Sequence, residues 1–384
     1  MGSRMTPAAS GRGEPGGRAD AGGSTAISER EQKILGIIQT ARGKRAKFRD
    51  QQITMAHGAG GKATQSLIEG LFVPALGGDA LAEMADAGSF GIGGADLALT
   101  TDSYVVRPLR FPGGSIGELA VNGTANDLAM AGARPVAMSL SLILEEGLSA
   151  AALKAEIDAV AGAAARAGVT IVAGDTKVVE RGRADGMYIC TTGVGARDPR
   201  AKLSPAAVAP GDRILLSGSI GEHGTAIMLA RDEFDLDATV ASDTQPLWPA
   251  VDALLENAGS QLHCLRDATR GGVASVLNEL ARASSVAMLV REGDVPVQPA
   301  VAGAAELLGI DPMYVANEGR LVAFVAPQGA TNALAALRSV PGCEGAVEIG
   351  EVRTEPPGMV LVQTAFGGRR VMDQLVGDPL PRIC

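Results

Sequence analysis

Cysteine is scarce in this chain of 384 residues, which contains only Cys190, Cys264, Cys343 and Cys384. No two of them form a C-x-x-C pair, so a zinc finger is not supported, and four cysteines are too few for a dense disulfide scaffold. We therefore expect free thiols, as in a protein of the reducing cytoplasm.

Clustered positive charge and long apolar runs are also missing. The chain has 34 basic and 43 acidic side chains and a formal net charge of -9. Nucleic acid is not an expected partner, because binding a phosphate backbone requires a concentrated positive field. The longest uncharged stretch in the later half, residues 321–337, contains Pro327, Gln328 and Asn332 and is too short and polar to span a bilayer. We expect a soluble protein without a membrane partner.

The basic residues that are present concentrate at the amino terminus. Residues 1–50 carry ten basic and five acidic side chains, a net charge of +5. Since the whole chain has a net charge of -9, residues 51–384 carry a net charge of -14. The first 25 residues contain seven glycines and two prolines with almost no large apolar side chains. Such a composition buries too little apolar surface to offset the entropy lost on ordering. We predict a disordered, dispensable basic extension at 1–50, in which a cap at Ser28 favours a short helix.

The rest of the chain alternates strand-like and helix-like segments. Strands are expected at 95–106, 134–144, 169–173 and 186–195, and capped helices at 115–131 and 149–167. A linker at 205–211 then precedes a second strand and helix series. This order predicts an α/β (α+β) protein with domains at 51–204 and 205–375 and a tail at 376–384.

A glycine-rich loop opens the first domain. The segment from His57 to Lys62 (HGAGGK) lies between a short strand and an amphipathic helix. Glycines let backbone amides approach an anion, and a following helix N-terminus adds a favourable dipole. Ala56 and Ala63 replace the glycine and the hydroxyl of a Walker A motif, and the G-x-G-x-x-G spacing is absent. The loop therefore indicates either a phosphate-binding loop or an ordinary turn.

Acidic residues interrupt or end three apolar segments. These are Asp102 in TTDSY, Asp127 in GTANDLA and Asp175 in AGDTK. Magnesium prefers a few carboxylates together with nucleotide phosphates and water, so the three residues favour a magnesium nucleotide site if the fold brings them together. The alternative is that each acts as a cap or turn residue, positions at which aspartate is common.

The carboxyl terminus combines proline with a terminal thiol. Pro379 and Pro381 disfavour helix and sheet pairing, so residues 377–384 should form an extended arm reaching about 25 Å at ~3.1 Å per residue. Such an arm can carry the thiol of Cys384 between sites. The other three cysteines are interpreted as inert small hydrophobic residues.

Nine ordered motifs together resemble one enzyme family. They are HGxGG, TDSYVV, FPGGxIG, GTANDLA, ILEEG, GDTKVV, RDATRGG, ANEG and the terminal PRIC. In this order, over about residues 52 to 384, they resemble the HypE family of hydrogenase maturation factors, the carbamoyl dehydratases. The resemblance implies the two-domain AIR synthetase-like (PurM-like) fold with a flexible carboxyl-terminal tail. It also implies a homodimer with ATP near the interface, residues 51–204 being the ATP-binding and dimerisation domain.

The resemblance further implies a reaction on the chain's own tail. A carbamoyl group on Cys384 would be dehydrated to S-cyanate at the expense of ATP with Mg2+. The cyanide ligand would then pass to the iron of a [NiFe]-hydrogenase centre. The carbamoyltransferase HypF would be the donor partner, and a HypC–HypD iron scaffold would be the acceptor.

Particular residues carry over by their motifs. The resemblance gives Cys384 the carrier role and Lys177 and Glu318 the proton-removing role; the alternatives are a surface or phosphate-binding lysine and a cap or salt-bridge acid. Implied nucleotide contacts are His57, Gly58, Gly60, Gly61, Asp102, Asn126, Asp127, Asp175 and Arg270, of which Asp102, Asp127 and Asp175 would also bind metal. Two rival functions remain: another AIR synthetase-like enzyme acting on a free small substrate, and a non-catalytic carrier or scaffold.

Overall fold

The computed structural model describes residues 48–76, 85–231, 240–375, 380 and 382–384. Except for residues 48–50, the predicted basic extension lies outside these residues, so its disorder stays a prediction. The helices of the described chain include none that is long and apolar enough to cross a membrane.

The first half of the described chain contains seven strands and four helices. It opens with a 3-10 turn (Met55–Gly58), α1 (Lys62–Leu67), a π-helical turn (Ile68–Phe72) and α2 (Val73–Leu76). Then follow β1 (Gly88–Ile92), β2 (Ala95–Tyr104), β3 (Arg110–Phe111), β4 (Gly114–Ser115), α3 (Ile116–Met130), β5 (Ala133–Glu145), α4 (Ala150–Ala167), β6 (Thr170–Val179) and β7 (Met187–Arg197). The four predicted strands and two predicted helices all form, although β6 continues well beyond residue 173.

The second half repeats the alternation with a larger sheet. Its elements are β8 (Arg213–Leu216), α5 (Glu222–Ala230), α6 (Trp248–Asn257), β9 (Leu262–Asp267), α7 (Gly272–Ala283), β10 (Ala287–Arg291), α8 (Pro299–Leu308), β11 (Leu321–Val325), α9 (Ala330–Arg338), β12 (Val347–Arg353), β13 (Met359–Gln363) and β14 (Arg369–Met372). Short 3-10 turns lie at Pro205–Ala207, Gly259–Gln261, Glu292–Asp294 and Pro312–Tyr314.

Each half is built on one large mixed sheet, and β3 and β4 pair separately in the first half. The first has the strand order β1-β2-β7-β5-β6, in which only β5 and β6 run parallel. The second has the order β14-β13-β10-β12-β8-β11-β9, in which only β10 and β13 run parallel. The prediction of a two-domain α/β fold is confirmed.

Local sequence explains why α3 and α4 lie close together. The Ser149 hydroxyl accepts a hydrogen bond from the Ala152 N–H and caps α4, and Gly168 ends this helix in the left-handed region at φ 70°. A Cβ at Gly117 would lie 2.5 Å from the carbonyl oxygen of Glu156, so only glycine permits this approach of α3 to α4. The packing fixes α3 across its sheet.

Helix α3 also belongs to the core of the second domain. Ala129 and Met130, at its carboxyl end, share an apolar cluster with Leu254 of α6 and Leu321 of β11. The helix is buried on nearly all sides, because one flank faces the first sheet and the other faces the second domain. Side chains near its carboxyl end therefore lie at the junction of the two domains.

The opposite face of the first sheet is open and partly apolar. Register places Leu99 beside Gly88, and Phe90 and Ile92 follow on the same side of β1. Phe90, Ile92 and Leu99 are 37%, 64% and 42% exposed. Isolated exposed apolar side chains are ordinary, but a group of them on one face is typical of an interaction surface.

Candidate active site

A cavity of about 630 Å3 lies between the two domains. Its wall combines the glycine loop, β2 and α3 of the first domain, the segment after β9, the loop before β11 and the last residue of the chain. The lining residues named by the sequence analysis are Gly58, Gly60, Asp102, Asp127, Arg270, Glu318 and Cys384. Tertiary structure thus gathers into one cavity residues that are more than three hundred positions apart.

The glycine loop contributes two of its four predicted residues. Gly58 and Gly60 line the cavity, and Gly60 has φ +76° with the Arg270 carbonyl oxygen 3.0 Å from where a Cβ would lie. Gly61 instead begins α1 as its N-cap. His57 is buried; its Nδ1 bonds to Thr54 at 3.0 Å, and its Nε2 lies 3.0 Å from Asp50. The His57 ring therefore supports the loop from behind and does not line the cavity.

Three carboxylates form a compact cluster in the cavity wall. Asp86, Asp127 and Asp267 each place one carboxylate oxygen within 4.8 Å of the others. Burial raises the pKa of Asp86 to about 6 despite the nearby Arg266 guanidinium. Burial, and then the neighbouring carboxylates, raise the pKa values of Asp127 and Asp267 well above their usual range. Such a set of oxygen ligands, held together against mutual repulsion, fits a hard divalent cation.

Hydrogen bonds fix the positions of these carboxylates. Asp127, on α3, accepts a bond from the Thr100 hydroxyl at 2.9 Å, and the adjacent Asp102 accepts one from Thr124 at 3.0 Å. Asp267 ends β9, and its Oδ2 is buried without a hydrogen-bond partner among the described residues. A buried carboxylate oxygen in that condition is costly unless a ligand satisfies it, which again suits a cation.

Sequence reasoning missed two members of the cluster. Asp267 ends an apolar strand inside the RDATRGG motif, the same signal that singled out Asp102, so strand-end position would have found it. Asp86 lies in a segment rich in alanine, glycine and acidic residues, where nothing distinguishes it. The structure places Asp86 in the cavity wall, where it pairs with Arg266 of β9.

Glu318 and Arg270 bring opposite charges to the same wall. Burial raises the pKa of Glu318 well above its usual range, and the charges of Asp267 and Asp243 add to the effect. The negative charge of Cys384, the terminal residue, is the main influence that raises the pKa of Arg270. The cavity therefore offers a carboxyl group that accepts a proton readily, beside a permanent cation.

The described part of the tail is docked onto the body of the protein. The Arg231 guanidinium donates to the Arg382 carbonyl at 2.6 Å, His223 Nε2 lies 2.6 Å from the Ile383 carbonyl, and the Val105 N–H donates to Cys384 at 3.1 Å. Leu380 and Ile383 are buried in an apolar cluster. These contacts go to the main chain and to apolar side chains, so the tail is held while Cys384 lines the cavity.

Burial keeps His223 neutral in this contact. Its pKa is lowered to about 4, because desolvation of the ring outweighs the bond to the Ile383 carbonyl. Ser242 lies 2.8 Å from its Nδ1. A neutral ring that donates from Nε2 to Ile383 and accepts from the Ser242 hydroxyl satisfies all these groups.

Asp175 and Lys177 lie on β6, away from the cavity. Register aligns Asp175 with Ser141 of β5 and, through it, with Cys190 of β7, all on the open face of the first sheet. The Lys177 ammonium lies 2.7 Å from Asp175, both side chains are exposed, and this bond lowers the pKa of Asp175. Within one chain the sheet separates this pair from Asp127, because α3 covers the other face.

Asn126 is the remaining predicted nucleotide contact, and it too lies outside the cavity wall. It is 2% exposed, and its amide bonds to the backbone of residues 245, 247 and 318. The structure therefore gives Asn126 a place at the domain junction.

Comparison with known proteins follows the same division of the chain. The family of AIR synthase related proteins matches with its N-terminal domain at residues 84–196 and its C-terminal domain at residues 209–362. The carbamoyl dehydratase HypE of Bradyrhizobium diazoefficiens is 46% identical over 341 residues, which cover 89% of this chain and 99% of that protein. The chain belongs to the HypE family of carbamoyl dehydratases.

Two solved HypE structures show the same architecture. A HypE–HypF complex has a TM-score of 0.76 and 42% identity, covering 80% of this chain and 99% of that one. The hydrogenase maturation protein HypE in complex with ATP has a TM-score of 0.73 and 43% identity, covering 87% and 100%. The predictions of a HypE-family enzyme and of an AIR synthetase-like fold are confirmed.

Proposed function

We propose that this HypE-family protein uses ATP to dehydrate a carbamoyl group carried on the sulfur of its own Cys384, giving S-cyanate. The observation that carries the proposal is the shared cavity of Cys384, the three-carboxylate cluster, Arg270 and Glu318. A related HypE protein has been crystallised with ATP, which supports ATP as the co-substrate.

The proposed reaction balances as a transfer of oxygen to phosphate. The carbonyl oxygen of the S-carbamoyl group attacks the γ-phosphorus of ATP, and the bond to ADP breaks. The carbon–oxygen bond then breaks with inorganic phosphate as the leaving group. The nitrogen loses both protons, one to Glu318 and one to the departing phosphate, and forms a triple bond to carbon. Thiocarbamate and ATP thus become thiocyanate, ADP and phosphate. Phosphoryl transfer of this kind depends on positioning and on neutralised charge.

The residues of the cavity divide this work. Amides near Gly58 and Gly60 and the Arg270 guanidinium would hold phosphate oxygens. Asp86, Asp127 and Asp267 would hold Mg2+, with Asp102 beside them, and that ion would supply charge neutralisation for the phosphates when bound. Glu318 would accept a proton from the carbamoyl nitrogen, since its raised pKa makes it a stronger base than an exposed carboxylate.

We infer a homodimer formed through the open face of the first sheet. Phe90, Ile92 and Leu99 supply apolar surface there, and Lys177 lies on the same face. A proton-removing role for Lys177 therefore requires the second copy or a rearrangement, because a single chain keeps it away from Cys384. The metal-binding role predicted for Asp175 requires the same.

Two partners follow from the chemistry of a mobile thiol. We propose HypF as the carbamoyl donor, supported by the HypE–HypF complex of a relative. A HypC–HypD iron scaffold would accept the cyanide ligand for a [NiFe]-hydrogenase. Cys384 has to leave the cavity for both encounters. The reaction therefore needs two positions of the tail, one docked in the cavity and one released to a partner. Both partners suit the cytoplasm that the free thiols indicate.

The rival functions make different use of the same features. An AIR synthetase-like enzyme with a free substrate has no need for a terminal thiol in its cavity, and a carrier without turnover has no need for buried carboxylates beside that thiol. Both features are present together, which favours the self-modifying enzyme.

Intact-mass analysis tests the proposal. The protein is supplied with carbamoyltransferase and carbamoyl phosphate, and ATP with Mg2+ is added afterwards. We expect the mass of one carbamoyl group on Cys384, followed by loss of one water when ATP arrives, with peptide mapping to locate both. ATP consumption without any change in protein mass would favour a free-substrate enzyme, and loading without dehydration would favour a carrier.

A further inference from the structure

The loop that carries Glu318 has no regular secondary structure of its own. It runs from residue 315 to residue 320, between the 3-10 turn at Pro312–Tyr314 and β11. The Glu318 carboxyl lines the cavity, and no hydrogen bond joins it to another described side chain. Its orientation therefore depends on contacts made by the backbone of this loop.

Asp243 holds the loop from one side. Its carboxylate accepts hydrogen bonds from the N–H groups of Glu318 at 3.1 Å and Gly319 at 3.2 Å. The fit is close, since a Cβ on Gly319 would lie 1.9 Å from the Asp243 carbonyl oxygen. The Asp243 side chain is 1% exposed, so water does not compete for these two bonds.

Asn126 holds the loop from the other side. Its Nδ2 donates to the carbonyl oxygens of Glu318 at 3.3 Å and Gln245 at 3.0 Å, and its Oδ1 accepts from the Leu247 N–H at 2.7 Å. Gln245 in turn donates from its side chain to the Gly319 carbonyl at 2.9 Å. The N–H and C=O groups of both Glu318 and Gly319 are thereby bound by residues from other parts of the chain.

We infer that Asn126 and Asp243 are positioning residues for Glu318, which fix its carboxyl in the cavity by clamping the loop backbone across the domain junction. The inference rests on the proposed role of Glu318 as the proton acceptor. The family motif implied that Asn126 contacts the nucleotide. This inference instead gives Asn126 an indirect role, which is to hold the loop that carries Glu318. Since Asn126 lies on α3 of the first domain and Asp243 in the second half, the clamp makes the geometry of Glu318 depend on domain packing.

The substitution Asn126→Ala tests the clamp without changing charge. Dehydration of protein already loaded at Cys384 should slow on the order of 10- to 100-fold, the usual effect of misplacing a reacting group by about 1 Å. ATP affinity and carbamoyl loading should remain as in the unaltered protein. The acidic limb of the pH–rate profile should move to lower pH, because a loosened loop admits water and relaxes the raised pKa of Glu318.

Asn122→Ala is the matched control. Asn122 is also buried on α3, one turn earlier, and its amide donates to Thr244 at 3.2 Å and not to the Glu318 loop. It should leave the pH–rate profile unchanged even if it lowers stability. A shift of equal size in both variants would show a general structural effect and would overturn the inference.

Two further results decide the remaining cases. Weakened ATP binding in Asn126→Ala, in proportion to its loss of rate, would return Asn126 to the nucleotide site. If that variant does not fold, Asp243→Asn keeps the side-chain shape with one acceptor fewer, and normal dehydration by it would refute the clamp. Normal dehydration by Glu318→Gln would show that Glu318 is not the base and would overturn this inference. The proposed formation of S-cyanate on Cys384 would not be affected by that result, because the intact-mass experiment tests it separately.

Discussion

At the residue scale, the cavity carboxylates are held in surroundings that favour their protonated forms. Burial and mutual repulsion raise the pKa values of Asp86, Asp127 and Asp267 above the ordinary value of 3.8. Their protonated forms stabilise the metal-free fold fully below that value, and the contribution is lost as the pH rises through the folded pKa, about 6 for Asp86. The proposed Mg2+ would reverse this dependence, because a divalent cation binds deprotonated carboxylates.

Mg2+ should therefore stabilise the protein more above pH about 6 than below it. The melting temperature with and without Mg2+, in the absence of ATP, measures this difference across the pH range. Asp267→Asn should remove most of the stabilisation by Mg2+. Asp158 is an exposed aspartate of α4, so the Asp158→Asn variant should still be stabilised by Mg2+. Equal stabilisation of both variants would place the ion elsewhere.

Cys384→Ala should abolish both carbamoyl loading and cyanate formation while ATP still binds. The reason is that the proposed function makes this thiol the attachment point, whereas its removal leaves the carboxylate cluster and the glycine loop untouched. Cys190→Ala is the control, since Cys190 lies on the open sheet face, 2.8 Å from the Ser103 hydroxyl, and does not line the cavity. Peptide mass mapping of each variant gives the result, and modification of Cys190, Cys264 or Cys343 would defeat the mechanism.

At the element scale, an ion pair helps to hold the described part of the tail. Arg382 is held by Asp185 at 2.8 Å, and Asp185 also lies 3.7 Å from Arg107. The Asp185 side chain is 15% exposed, so its pair with Arg382 is partly screened by solvent and contributes modestly. A modest ion pair suits the proposed function, in which the arm leaves the cavity and returns.

Asp185→Ala should shift the tail towards release. We expect a bulky thiol reagent to label Cys384 roughly two- to fivefold faster, the range that a partly exposed ion pair allows. Dehydration of loaded protein should change much less than labelling, because a docked state that predominates loses only a small share of its population. Unchanged labelling would mean that the pair does not hold the tail, and Asp158→Ala provides the comparison for a general effect of losing an acidic side chain.

At the scale of the whole molecule, the open face of the first sheet carries the proposed dimer. Leu99→Lys puts a charge on that face at a position already 42% exposed, so the fold of one chain should tolerate it. Burying the unpaired charge in an interface is costly, so the dissociation constant of the dimer should rise on the order of 10- to 100-fold. Light scattering over a dilution series measures the shift. Leu307→Lys, at an exposed leucine of α8, should leave the assembly unchanged, and a fully dimeric Leu99→Lys protein would exclude this face.

Much of the fold could be predicted from local pattern. The apolar alternation of 134–144, the serine cap before α4 and the strand that contains Asp102 are short-range signals, and the structure confirms each element. The composition of the candidate site was harder to predict from the sequence. Gly58, Gly60, Asp102, Asp127, Arg270, Glu318 and Cys384 share the cavity, whereas His57, Gly61 and Asn126 support it from outside, and Asp175 and Lys177 lie on the other face of the sheet.

The sequence by itself determined the chemistry that the chain can perform, since the terminal thiol, the glycine loop and the acidic residues are covalent facts of composition and order. Tertiary structure decided which of them meet. The side-chain period of two along a strand sends Asp102 towards α3 and the residues aligned with Ser141, including Asp175, to the opposite face. Asp86 joins Asp127 and Asp267 because long-range packing brings three separate segments together, and no local pattern encodes such a distance.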